Sequence, residues 1–417
     1  MSIKRIEVTN FKSFEHIDIE LGNFNVIIGA NASGKSNFVD IFRFLRDIAT
    51  SGLDNAISMQ GGVEYLRNIN IGASKNLSIK ISSDDEFAFG LEHGHKEGLL
   101  WIETYDTLYQ FALKFNKQRN HFKVIEDRLI LKNEFFKLER KNGEIKKRER
   151  LGRGEITIFR SDEKIKINLN LPPNVTLREE NIFPPFLPEK KLPSNKLLLE
   201  TPYFLIPFPV RKIFDNISIY DFDPKLPKKA YPITGKAELE ENGENLSIIL
   251  KNILQHKDGQ RKLFNLVKEL LPFVENLDVE KFADKSLLFK LQESYFKKQY
   301  LPASLISDGT INITALIIAL YFEKKSLVII EEPERNIHPY LISKVVNMMK
   351  DASQRKQIIV TTHNPEFVRH ADLENILLVS RGEDGFSIIT RPADKEEVKT
   401  FLKNDIGIDE LYIQNLL

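Results

Sequence analysis

Cysteine is absent from the 417 residues, which excludes disulfides, thiolate zinc sites, iron–sulfur clusters and a cysteine nucleophile together. Its absence fits a cytoplasmic setting. A charge imbalance is missing too: 60 Lys and Arg stand against 59 Asp and Glu, for a net +1, so any surface that attracts a polyanion has to be local. No stretch approaches the roughly 18 uninterrupted apolar residues of a membrane helix, and the opening Met1-Ser2-Ile3-Lys4-Arg5-Ile6-Glu7 has no apolar signal core. The chain is therefore not expected to be its own membrane anchor. Internal repeats and long heptad runs are lacking as well. What remains is ample: 42% hydrophobic residues over this length can build one large α/β domain with insertions, or two or three smaller domains.

Residues 3–8 and 17–21 mix apolar with polar side chains in near alternation, which predicts two half-exposed strands. Residues 24–28 form a short, mostly apolar run ending at Gly29, which predicts a buried strand. From Lys35 onward, Phe38, Val39, Phe42, Leu45 and Ile48 recur at helical spacing. Between about residues 75 and 300 the character changes to hairpin-like β segments, a proline-rich stretch at 171–193 and helical patterns near 246–256 and 259–272. The α/β pattern then returns, with a helix after Gly309, a buried strand at 327–330, a helix after Pro339 and a buried strand at 357–361. The expected organisation is an amino-terminal part (1–75), an insertion (76–300) and a carboxy-terminal part (301–417) whose strands share one sheet with the first.

Gly29-Ala-Asn-Ala-Ser-Gly34-Lys35-Ser36 matches G-x-x-x-x-G-K-[ST] between a buried strand and an amphipathic helix. The glycines let the backbone of Gly29, Ala30, Asn31, Ala32, Ser33 and Gly34 wrap a phosphate, and the amides through Asn37 face the anion. Lys35 would reach the β and γ phosphates, and the Ser36 hydroxyl could ligate Mg²⁺. Downstream, Glu331-Glu332 follows the buried strand at 327–330, at the end where open parallel sheets bind ligands. Of the pair, Glu331 is assigned to the metal and Glu332 to the attacking water. The strand at 357–361 runs into Thr362-His363-Asn364-Pro365, so His363 would lie near the γ-phosphate if the two strands are neighbours.

The P-loop, then Ser307-Asp308-Gly309-Thr310, Glu331-Glu332-Pro333-Glu334, Asn336-Ile-His-Pro339 and Thr361-Thr-His363 form a serial order that resembles ABC-type ATPases of the RecF, SMC and OLD group. Phe11-Lys-Ser-Phe14 before the second strand, Tyr220-Asp-Phe-Asp223-Pro224 and Glu244-Asn245-Leu246 look like that group too, closest to its stand-alone ATPases of the AAA-named family. The resemblance implies an α/β fold: an ABC-type ATPase head with a mixed sheet flanked by helices, plus a β-rich and helical insertion. It implies that Ser307, Asp308, Gly309 and Thr310 form a signature segment capping the ATP of a second copy, so that two ATP molecules join a head-to-tail homodimer. Asn336 to Pro339 would line that interface. Gln60, in Met59-Gln60-Gly61-Gly62, falls about where the group has a metal-associated glutamine.

Two departures matter. Asp308 stands where transporter subunits have Gly, and Glu331 replaces the Asp usual in the wider superfamily. The chain lacks the long coiled coils of SMC proteins and ends at Leu417, soon after His363, so neither these nor the Toprim nuclease domain of OLD proteins is expected. The expected function is an ATP-hydrolysing switch in DNA repair, genome maintenance or anti-phage defence, acting with DNA or with a separate effector protein such as a nuclease. The alternatives are the nucleotide-binding subunit of a membrane transporter, or a module that closes on ATP and barely hydrolyses it. Between Lys114 and Arg160 fifteen Lys or Arg face seven Asp or Glu. With Asn142-Gly143 as a hairpin turn, Lys146, Arg148 and Arg150 would share one face, either as a phosphate-binding ribbon or as a charge-solvated edge. Asp221-x-Asp223 reads as a strand end with a turn, and Glu92-His93-Gly-His95 as a solvated loop.

Overall fold

The hydrophobic pattern sorts the strands between two units in the computed structural model, which describes every residue except 1, 85, 93–98, 117–120, 142–143, 184–190, 202–208, 297–298 and 405. Unit 1 comprises Met1–Leu21, Asn37–Asn216 and Arg381–Ile388, and unit 2 comprises Gly22–Ser36, Ile217–Ser380 and Ile389–Leu417. From the amino end the strands are β1 (Arg5–Phe11), β2 (Phe14–Glu20), β3 (Phe24–Ile28), β4 (Leu77–Ser83), β5 (Phe87–Glu92), β6 (Leu99–Phe115), β7 (Phe122–Lys141), β8 (Glu144–Ser161) and β9 (Lys164–Asn170). They continue with β10 (Ile217–Tyr220), β11 (Tyr231–Pro232), β12 (Val274–Phe282), β13 (Ser286–Glu293), β14 (Tyr300–Pro302), β15 (Leu327–Glu331), β16 (Gln357–Thr362), β17 (Ile376–Arg381) and β18 (Ser387–Thr390).

Unit 1 is built on one antiparallel sheet in the order β2-β1-β4-β6-β7-β8-β9, with β5 also on β6. Its strands alternate because only one face is buried: in β1 Ile6 and Val8 point inward while Arg5 is exposed. The alternating strands expected at the amino end thus join this sheet rather than the parallel one. Beneath its long strands lies a buried polar cluster. The Asp127 carboxylate accepts the Leu198 amide at 2.6 Å, and burial pushes its pKa up to about 7. Arg160 donates to the carbonyls of Asp162, Leu192 and Pro193 at 3.1, 3.0 and 2.9 Å, pinning that loop to β8.

Unit 2 holds a six-stranded sheet in the order β10-β15-β16-β3-β17-β18. The pairs β10·β15, β15·β16, β16·β3 and β3·β17 are parallel. Every residue of β3 and β16 is buried, as are the first four of β15, so these strands read as apolar runs, not alternations. The helix Asp308–Tyr321 is buried from Thr310 to Leu320, which its apolar residues on all sides predict. A smaller antiparallel sheet, β11-β13-β12 with β14 on β13, completes this unit. The edge strand β10 comes from inside the stretch read as an insertion, and β16 pairs with β3 across most of the sequence. Among the described residues no helix is long and apolar enough to cross a membrane.

Candidate functional site

Parallel pairing decides where the chemistry goes. Glu331 stands opposite Thr361 in the β15·β16 register, and Thr362 opposite Ile28 in the β16·β3 register. The carboxyl ends of β15, β16 and β3 therefore open on one edge of the sheet, which brings the P-loop, the acidic pair and His363 together.

The P-loop takes backbone conformations that side chains resist, with φ of +154° at Gly29, +63° at Ala32 and +118° at Gly34. A Cβ on Gly29 would sit 2.2 Å from the Val379 carbonyl oxygen, so no other residue fits there. Ser33 and Lys35 are buried, whereas Ala30, Asn31, Ala32 and Ser36 are exposed. Lys35 Nζ donates to the carbonyls of Gly29 and Ala30 at 2.7 and 3.0 Å. Its burial lowers its pKa, against the nearby charges of Glu332 and Glu334. The Ser36 hydroxyl donates to Glu331 Oε2 at 3.4 Å. A hydroxyl beside a carboxylate is a hard-oxygen donor set of the kind Mg²⁺ selects. Tyr412, from the carboxy-terminal helix Ile408–Ile413, accepts the Gly29 amide.

Glu332 lies at φ +45°, a left-handed conformation that costs a non-glycine residue on the order of 1–3 kcal/mol. The turn is held by its amide donating to the Thr361 carbonyl at 2.9 Å. Glu332 Oε1 pairs with His363 Nδ1 at 2.8 Å, and Oε2 accepts from Arg335 Nη2 at 3.0 Å. Arg335 Nη1 in turn donates to Asp221 Oδ1 at 2.8 Å. Burial alone would push the Glu332 carboxyl up, but the Arg335 hydrogen bond and the charges of His363 and Arg335 bring it below the ordinary carboxylate value. Glu334 is buried and its pKa is raised by desolvation; one oxygen accepts the Thr362 hydroxyl and Oε2 has no hydrogen-bond partner among the described residues.

The residues expected to form the signature make a second cluster. Ser307 Oγ accepts the Thr310 amide at 3.2 Å and caps the helix Asp308–Tyr321. Asp308 pairs with Lys228 at 2.5 Å. Gly309 is required by close approach, since a Cβ there would lie 2.6 Å from the Asn336 carbonyl oxygen. Asn312 Nδ2 donates to the Arg335 carbonyl at 2.7 Å, and Asn336 takes φ +61°. The signature turn and the 335–337 loop are thus one packed piece.

Gln60 belongs to unit 1, where its amide closes the helix Leu53–Met59 and its side chain is buried. Asn37 lines a pocket of about 460 Å³ in the same unit, together with Lys12, Arg67 and Arg381. The described part of the basic hairpin is matched by acids: Arg148 holds Glu103 at 2.5 Å and lies 3.8 Å from the Phe136 ring centroid, and Arg150 holds Glu134. Phe135 and Phe136 are buried. The hairpin turn at Asn142-Gly143, the side chain of Lys146 and the Glu92-His93-Gly-His95 loop's side chains lie outside the described residues. Sequence reasoning missed Arg335, Lys228 and Tyr412. It set Asp221 down as a turn residue, and β10 does end at Tyr220 with an Asx turn at Asp223, but the Asp221 carboxylate is held by Arg335. The only local signal for Arg335 was its position within the Glu-Glu-Pro-Glu-Arg run.

A parallel sheet edge carrying a P-loop, paired acids and a histidine, with a capped signature helix in the same unit, defines a P-loop ATPase head of the ABC type. The chain belongs to the family described as "AAA domain, putative AbiEii toxin, Type IV TA system", which matches residues 24–369. Over 75 residues it is 41% identical to the DNA double-strand break repair Rad50 ATPase of Saccharolobus solfataricus, covering 16% of this chain and 9% of that protein. Over 47 residues it is 47% identical to endonuclease GajA of Bacillus cereus, covering 11% and 8%. The chain thus spans less than a tenth of either relative's length. In fold it is similar to an SMC head bound to the C-terminal winged-helix domain of ScpA, with a TM-score of 0.51 at 16% identity over 94% of this chain and 98% of that one. An SMC head with an extended coiled coil, bound to the C-terminal domain of ScpA derived from Pyrococcus furiosus, gives 0.50 at 14% identity over 97% and 99%.

Proposed function

We propose that this protein binds and hydrolyses ATP as a molecular switch, and that ATP joins two copies head to tail. The observation that carries the reading is the convergence, on one sheet edge, of Lys35, the Ser36–Glu331 pair and the Glu332–His363 pair. Lys35 would leave the Gly29 and Ala30 carbonyls for the β and γ phosphates, exchanging neutral acceptors for charged ones. Ser36 and Glu331 would hold Mg²⁺. When bound, that ion neutralises charge on the phosphate oxygens. Glu332 would orient the attacking water and take its proton, and His363, released from Glu332, would donate to the γ-phosphate. Ser307, Gly309 and Thr310 would present the amino end of the helix Asp308–Tyr321 to the γ-phosphate held by the other copy.

The family match and the stretches shared with a double-strand break repair ATPase and an endonuclease support a role in genome maintenance or anti-phage defence, coupled to DNA or to a separate effector. The deciding experiment is light scattering of the Glu332→Gln protein with and without Mg-ATP, beside phosphate release by the unmodified chain. The expected result is a mass that doubles only with ATP, a doubling lost on adding Ser307→Arg, and hydrolysis by the unmodified chain alone. An unchanged mass together with no hydrolysis would remove the switch reading.

A further inference from the structure

We propose that residues 221–228 form a strap that positions both halves of the ATP machinery at once, holding the signature turn through Lys228 and the catalytic carboxylate through Asp221 and Arg335. The inference rests on the head-to-tail reading above, in which the signature serves the other copy's ATP while Glu332 serves its own.

The strap has a fixed base. The Phe222 ring is buried and stacks on Tyr220 with centroids 5.2 Å apart. It also fills the space beside Gly243, where a Cβ would come within 3.0 Å of the ring and the backbone has φ +78°. The amides of Asp221 and Asp223 donate to the carbonyls of Glu241 and Asn242 at 2.9 and 3.1 Å. From this base two charged side chains reach out: Asp221 to Arg335 at 2.8 Å and Lys228 to Asp308 at 2.5 Å. Their targets are themselves packed together, Gly309 against the Asn336 carbonyl and Asn312 on the Arg335 carbonyl. The contacts close into a ring running 221, 335, 336, 309, 308, 228. Displacement of any member is resisted by the others.

Each ion pair has its own chemical consequence. Arg335 divides its guanidinium, Nη1 to Asp221 and Nη2 to Glu332. Without Asp221, both nitrogens are available to Glu332 as a bidentate fork, which ties up the group that must face the water. Lys228 neutralises Asp308, the residue that departs from the glycine of transporter signatures. Without Lys228, a bare carboxylate would stand at the helix end meant for the other copy's γ-phosphate, and like charges repel.

The test uses the full chain. Asp221→Ala is expected to lower kcat about tenfold with KM for ATP within about twofold, and Asp221→Glu to restore most of the loss. Lys228→Ala is expected to raise the protein concentration needed for the ATP-dependent dimer about tenfold, with Lys228→Arg restoring it and with binding of a fluorescent ATP analogue to the monomer unchanged. Asp221 is exposed and Lys228 half-exposed, so neither substitution removes core packing. If both alanine variants hydrolyse and dimerise within about twofold of an active parent, the strap is overturned and the dimer reading stands. If the parent itself neither hydrolyses ATP nor dimerises with it, the dimer reading fails and the strap with it.

Discussion

In unit 1 the antiparallel sheet places charges opposite one another across its strands: Lys132 on Asp106 at 2.7 Å, Arg148 on Glu103 at 2.5 Å, and Arg150 and Arg153 both on Glu134. In unit 2 the parallel sheet is buried on both faces, so apart from Asn25 its inner positions are apolar and the charged groups collect where the strands stop. Parallel order then aligns those stops on a single edge. The same kinds of side chain therefore neutralise each other pairwise in one unit and converge on a common point in the other. Strand direction, more than composition, separates a scaffold from a site.

The largest effect expected from this contrast is at Lys35. Lys35→Ala is predicted to lower ATP hydrolysis by roughly a hundredfold or more, because Lys35 is the buried cation proposed to meet the charge developing on the phosphates; a phosphate-release assay that finds the rate intact would break the comparison. A middle-sized effect is expected at Asp127, whose carboxyl is pushed by burial from the ordinary carboxylate range up to about 7. The folded state thus binds the proton more tightly than the unfolded chain does, so the stability it contributes is full below the unfolded value and is lost as pH rises towards and through about 7. Asp127→Asn should flatten that slope and stabilise the protein at pH 8 by about 1–2 kcal/mol, read by urea unfolding across that range. The smallest effect is expected at Arg148. Its exposed pair and its contact with Phe136 are together worth at most about 1–2 kcal/mol, so Arg148→Ala should leave ATP hydrolysis unchanged and shift the melting temperature slightly. A loss of DNA affinity in a filter-binding assay of that variant would sharpen the comparison differently, by showing a basic ribbon that acts despite its acidic partners.

Much of the site could be read along the chain because its signals are local. The P-loop needs glycines at fixed offsets, β15 and β16 carry the apolar cores Leu327–Ile330 and Ile358–Val360, and Glu331, Glu332 and His363 stand at or just past the strand ends. The helices after Gly309 and Pro339 were legible for the same reason, the first as a long apolar run behind a Ser cap and the second through its periodicity and Pro339 start. Hidden were the contacts that depend on which strands become neighbours. β10 is four residues long, and although the family-like Tyr220-Asp-Phe-Asp223-Pro224 stretch starts at its end, nothing in its own sequence announces that it pairs with β15 and delivers Asp221 to Arg335, a partner 114 residues away. Tyr412 at the P-loop and β1 and β2 in the antiparallel sheet were hidden in the same way.

The sequence by itself determined the P-loop and the acidic strand end, because backbone conformations that favour glycine and charged groups at strand ends are properties of a few consecutive residues. Only the tertiary structure decided how those groups are held: the engagement of both Glu332 oxygens, the pairing of Asp308 with Lys228 and the cross-strand neutralisation of the basic hairpin. Those outcomes depend on distances between residues far apart in the chain, and such distances exist only once the hydrophobic strands have chosen their neighbours.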